Sequence, residues 1–201
     1  MINFIIKDIM EVAGYLPIGI LCGISVVVLY VICILCLERK NRKKNRLSVH
    51  VRNSVVWFIL GVYIAVMFVT VFLSREPGSR QGIDMTLFGT WGITPQAHAF
   101  VIENVLLFVP FGILYPFAVT PTGRTGDDTH SRGRIASRFT VLLGFIISVG
   151  IETVQLLTER GYCQLDDIVM NTLGSLVGYV IFLVIDRIFR GNDTEEMIQR
   201  K

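Results

Sequence analysis

Charge is what this 201-residue chain has least of: Asp, Glu, Lys and Arg make up only 17% of it, against 52% hydrophobic residues, and the mean hydropathy is +0.60. That scarcity excludes a soluble globular domain, which carries about 25% charged residues. Cysteine is equally thin, with Cys22, Cys33 and Cys36 in one apolar run and Cys163 far from them, which excludes a disulfide framework. The Cys33 to Cys36 spacing lies inside an apolar stretch without a second ligand pair, so it reads as small lipid-compatible residues. No HExxH pair, nucleophile elbow or phosphatase-like Arg and His set occurs, so neither a reaction class nor a cofactor is indicated. His98 is the only histidine near the acids discussed below, and its spacing matches no metal motif, so no metal is expected. A repeat period is missing too, and with it any sign of the internal duplication typical of many transporters.

What is present in quantity is apolar sequence long enough to cross about 30 Å of hydrocarbon. Five spans are expected: Leu16 to Leu37, Val55 to Leu73, Ala99 to Val119, Phe139 to Leu157, and Ile168 to about Ile185. The first two carry no charged residue. The fold class is therefore all-α, a polytopic membrane helix bundle of five transmembrane helices. Before the first span, Ile2, Ile5, Ile9 and Val12 recur at helical spacing opposite Asn3, Lys7, Asp8 and Glu11, which predicts a short amphipathic helix on the outer interface. No small-residue cleavage site follows the first span, so it is expected to serve as its own targeting signal.

Basic residues set the expected orientation, because Lys and Arg are retained on the cytoplasmic side of short loops. Fifteen of the 19 lie in the loop from Glu38 to Ser54, the loop from Thr120 to Arg138 and the tail from Asp186; the other side holds Lys7, Arg75, Arg80 and Arg160. The N-terminus is thus expected outside and the C-terminus in the cytoplasm of a bacterial cell membrane. The basic loop around Arg42 to Arg46 suits anionic lipid headgroups rather than nucleic acid. Trp57 and Trp91 read as anchors at opposite interfaces.

The remaining polar residues are the informative ones. Span three carries Glu103 and Asn104, span four Glu152 and Gln155, and span five Asn171; with alternating helix directions, all fall near the outer face. Around them stand the loop residues Arg75, Asp84, Arg160, Gln164, Asp166 and Asp167. Glu152 and Gln155 share one helix face, as do Asp167 and Asn171. Intramembrane acids and amides are costly, and such a concentration predicts a ligand pocket rather than helix glue alone. Pro110 and Gly112 are expected to kink span three, and Gly174 and Gly178 to let a neighbouring helix approach closely.

Three stretches, LSREPGSR at Leu73 to Arg80, NVLLFVPFG at Asn104 to Gly112, and IETVQLLTERGYCQLDDIVMNTLGSLVGY at Ile151 to Tyr179, resemble the VanZ-like family of bacterial membrane proteins over roughly Val55 to Phe189. The resemblance implies a cell-envelope protein, the name-giving member being linked to low-level resistance to the glycopeptide teicoplanin; it brings no catalytic residues. On this reading residues 1–54 hold the interfacial helix, first span and basic loop, 55–189 the VanZ-like transmembrane domain, and 190–201 a cytoplasmic tail. The expected function is an outward-facing polar pocket for an amphiphile: a lipid headgroup, a cell-wall precursor or a glycopeptide. Two alternatives stand beside it. One is a membrane enzyme using Glu152 with Asp166 or Asp167 as acid and base on a lipid-linked substrate; the other is a small transporter in which homo-oligomerisation supplies the missing helices.

Overall fold

A computed structural model of the chain describes residues 2–41, 47–78, 82–89, 94–120, 135 and 137–199, with side chains at 2–36, 53–78, 82–89, 94–120, 135 and 137–188. The basic residues at 42–46, Arg80, Trp91 and the polar loop at 121–134 fall outside these. The described helices are α1 (Ile2–Ala13), α2 (Leu16–Asn41), α3 (Leu47–Phe68), α4 (Pro95–Val119), α5 (Thr140–Leu157) and α6 (Leu165–Gln199). Among the described residues, five stretches are long and apolar enough to cross a membrane: Leu16–Cys36, Asn53–Leu73, Pro95–Val119, Thr140–Leu157 and Leu165–Ile188. The chain is a multi-pass all-α membrane bundle preceded by a short N-terminal helix.

Two helix starts differ from the hydropathy boundaries, and each for a local reason. α4 begins at Pro95 because Thr94, in extended conformation, accepts a hydrogen bond from the Ala97 amide, and a proline in the first turn lacks the N–H that would go unused there. α6 begins at Leu165, so Asp166 and Asp167 form its first turn, where unpaired amides favour negative charge. The acids expected in a loop thus belong to a membrane helix.

α4 and α6 pack most extensively, α5 covers α6, and α2 lies outermost against α3. Lipid tails are as apolar as leucine, so close contact rather than water exclusion holds such helices together. Small residues permit it. A methyl group on Gly174 would strike the Val105 carbonyl, and one on Gly178 would lie 2.8 Å from the Gly112 Cα, so α4 and α6 meet backbone to backbone. Gly144 likewise admits Ser175 between α5 and α6. Phe108, Phe111, Ile151 and Val71 fill the centre, while Leu21, Leu29, Leu142 and Val184 stay exposed as lipid-facing residues do. α4 runs unbroken through Pro110, and the Tyr63 hydroxyl donates to the Leu107 carbonyl, 2.8 Å away, in the turn before it.

With five such spans among the described residues, α1 and the C-terminal part of α6 belong to opposite ends of the bundle. One end, called here the α1 end, collects α1, the end of α3, the start of α4, the end of α5 and the start of α6. There α3 widens into a π-turn over Val69–Leu73, closed by the Ser74 amide donating to the Val69 carbonyl at 2.9 Å. α5 ends in a Schellman turn: Arg160 N–H donates to the Gln155 carbonyl and Glu159 N–H to that of Leu156. Glu159 occupies the left-handed position, φ 56°, where glycine is usual. Two short strands, β1 (Ile83–Asp84) and β2 (Cys163–Gln164), then pair in parallel and fasten the long connecting segment to the start of α6.

Candidate functional site

The π-turn and the Schellman turn together explain two of the polar residues. A π-turn spaces its hydrogen bonds wider and leaves carbonyls available, and such turns often mark functional sites. Buried Gln155 donates through Nε2 to the Val71 carbonyl at 3.2 Å. Arg160, turned back by the end of α5, donates through one terminal nitrogen to the carbonyls of Phe72 and Arg75. Gln155 and Arg160 therefore clamp the end of α3 and hold Arg75 in place.

A second group gathers at the start of α6. Glu152, 2% exposed, accepts the Gln164 amide on Oε2 at 3.0 Å, so an acid from α5 serves the first turn of α6 much as a capping side chain does. Asp167 accepts from Asn104 Nδ2 on α4 at 2.6 Å. Arg75 is within electrostatic reach of both Glu152 and Asp167. One cation thus faces two carboxylates, and side chains from three helices and the end of α3 are joined in one network. Asn171, a turn further along α6, donates to the Ser148 hydroxyl at 2.9 Å, while its own Oδ1 is buried without a partner.

The connecting segment closes over this end. Asp166, also 2% exposed, accepts the Phe88 amide, and Phe88 is held at φ 59°, a conformation a bulky residue adopts only when its surroundings impose it. Asp84 accepts from the Thr86 amide at 2.9 Å, which holds its carboxyl below the usual range. Cys163 lies half-buried beneath; burial, and then the nearby Glu152 and Asp167, push its thiol above the ordinary value.

Beside the network lies a recess of about 680 Å³ between α1, α3 and α4. Of the residues singled out by sequence, Arg75, Glu103, Asn104, Gln164 and Asp167 line it. Glu152, Gln155, Arg160, Asp166 and Asn171 do not; they stand behind the wall, engaged with the partners described above. Pro110 lines its deep apolar part with Val66, Met67 and Leu107, whereas Gly112, Gly174 and Gly178 sit at helix contacts. Phe100 and Leu106, on the same wall, are 40% and 48% exposed, so the recess has an apolar rim open to the surroundings of the bundle.

Sequence reasoning did not assign α1 to this site. Its residues Asp8, Glu11 and Tyr15 line the recess, and Asp8 acts electrostatically on Glu103 of α4. The polar face expected to look into water instead turns in part toward the protein. The spacing of Asp8, Glu11 and Tyr15 along one helix face was the available signal. Ser148 was also missed, although Ser148, Glu152 and Gln155 follow each other at four and three residues. Among the described residues no group of three or more His, Cys, Asp or Glu is placed to hold a metal ion.

One family model matches the chain, that of VanZ/LLP1, over residues 27–186, beginning inside α2. No curated protein and no solved structure gives a match.

Proposed function

From the premise that the chain belongs to the VanZ/LLP1 family, a multi-pass membrane family, we propose that its recess at the α1 end binds an amphiphile of the cell envelope. The ligand class is a lipid, a lipid-linked cell-wall precursor or an acylated glycopeptide, and through the last of these the protein contributes to glycopeptide resistance. The observation that carries the reading is the union, in one 680 Å³ space, of an apolar rim and a polar wall. Phe100, Leu106, Leu107, Val66 and Met67 suit an acyl chain; Arg75, Asn104, Gln164 and the carboxylates suit a head group. The α1 end faces outward on this reading, as expected from the sequence, in which fifteen basic residues fall in the two loops and the tail assigned to the cytoplasm.

The network behind the wall favours a second reading. Glu152 and Asp167, both facing Arg75, have the composition of an acid–base pair acting on a lipid-linked substrate. Asp166, bonded to the Phe88 amide, acts instead in holding the connecting segment.

The test is lipid retention. The protein is purified in a mild detergent, and bound lipids are counted by native mass spectrometry for the parent, Arg75→Ala and Asn104→Ala. Parent retention with loss in both variants at unchanged membrane abundance supports binding, and conversion of the retained lipid supports catalysis. Equal retention in all three sinks the recess as a site. A fluorescent-protein fusion at the C-terminus tests orientation: fluorescence in the cytoplasm is expected, and its absence with activity of a periplasm-dependent reporter reverses the topology.

A further inference from the structure

The recess is unevenly charged. Asp8, Glu11, Glu103 and Asp167 line it, and Arg75, the lining cation among the described residues, already faces Asp167 and Glu152. An anionic head group would enter a wall where carboxylates outnumber guanidinium. The side toward α1 is the more acidic, because Asp8, Glu11 and Glu103 come from two helices that meet there.

Asp8 and Glu103 line the recess together and act on each other electrostatically; two such carboxyl groups repel each other if both are ionised, so they share a proton or bracket a cation. One carboxylate oxygen of Glu103, Oε1, is buried without a hydrogen-bond partner, which leaves an acceptor in need of a donor. An inorganic divalent ion does not fit, since no three ligating side chains are arranged for one among the described residues. An organic ammonium does. It brings up to three N–H donors in a compact charge, and the same wall carries Tyr15 and Phe100, whose rings attract such a cation.

We infer that the amphiphile taken by this recess carries an ammonium group, seated between Asp8, Glu11 and Glu103, with its acyl chain along Leu106 and Leu107. This rests on the reading of the recess as a lipid site and adds the chemistry of the head: a zwitterionic amino-phospholipid is preferred over an anionic one.

The experiment places the full chain in nanodiscs containing equal amounts of phosphatidylethanolamine and phosphatidylglycerol of the same acyl composition. The protein is then released into detergent and the retained lipids are counted by native mass spectrometry. Enrichment of the ethanolamine lipid by fivefold or more is expected for the parent, falling to parity in Glu103→Gln and in Asp8→Asn with total lipid little changed. Glu11→Gln serves in place of either variant that does not purify as a monodisperse protein. Enrichment of the glycerol lipid, or an ethanolamine preference untouched by the variants, overturns the ammonium assignment while leaving a lipid site in place. Retention of neither lipid overturns the recess reading and this assignment with it.

Discussion

Adding one methyl group at Gly178 should loosen the bundle, whereas adding the same group at Gly150 should not. A Cβ on Gly178 meets the Val109 carbonyl and lies 2.8 Å from the Gly112 Cα and 3.1 Å from its carbonyl carbon. All are backbone atoms, so no rotamer change relieves the contact, and α4 must part from α6 by about 1 Å for the Val109 carbonyl to reach ordinary separation. Overpacking of this kind costs about 1–3 kcal/mol. The exchange also gains about 1 kcal/mol, because alanine is the better helix former. At Gly150, on α5, a Cβ meets nothing within 4 Å, and only the gain remains. Gly178→Ala is therefore expected to be less stable than the parent by up to about 2 kcal/mol, and Gly150→Ala at least as stable as the parent. Melting followed by fluorescence-detected size-exclusion chromatography in one detergent measures both. Parting α4 from α6 also stretches the 2.6 Å bond between Asn104 and Asp167, so lipid retention should fall in the first variant alone. A Gly178→Ala protein that melts as high as Gly150→Ala would refute the close approach of these helices.

Glu159→Gly should stabilise the protein by about 1 kcal/mol, by relieving a left-handed non-glycine residue at the end of α5; a lower melting temperature would contradict this. Asp166→Ala removes the acceptor for the Phe88 amide, at a cost of about 1–3 kcal/mol, and amide exchange over residues 83–89 should accelerate while α5 is unaffected. The Cys163 thiol, raised by burial and by nearby acids, should react with maleimide more slowly at pH 8 than a peptide thiol. Its folded value lies above the unfolded one, so its stabilising contribution is complete below the ordinary thiol range and is lost as pH rises through the folded value; Cys163→Ser should remove that alkaline loss. Asp84 has the opposite sign. Held low by the Thr86 amide, it contributes above the usual carboxylate range and ceases to do so as pH falls through its folded value, so Asp84→Asn should blunt the gain in proteolysis of residues 82–89 on acidification.

The spans were legible because membrane length and apolarity are local properties, read one window at a time. Depth was legible too: alternating helix directions bring Asn104, Glu152 and Asn171 toward one end without any knowledge of packing. What spacing cannot give is the partner across the bundle. Gln155 and Val71 are 84 residues apart, Arg160 and Phe72 88, and Asn104 and Asp167 63. Gln155 and Arg160 looked like pocket residues because a polar side chain at membrane depth needs a partner, and nothing in the sequence said that a π-turn would offer backbone carbonyls. The acids of α1 were assigned to water for a similar reason: an isolated amphipathic helix puts its charges outward, and only the position of Glu103 gives Asp8 somewhere else to go.

The widened turn over Val69–Leu73 has a consequence for how this protein tolerates change in length. It accommodates one residue more than regular winding would, so removal of a single residue there allows ordinary α-helical coiling to resume while everything downstream keeps nearly the same face. Arg75 would keep its place in the cavity wall, but the carbonyls of Val71 and Phe72 would be drawn back into the helix's own ladder and away from Gln155 and Arg160. Among relatives, a gap inside those five residues should go together with loss of the amide at 155 or the guanidinium at 160, since the turn and those two donors serve each other.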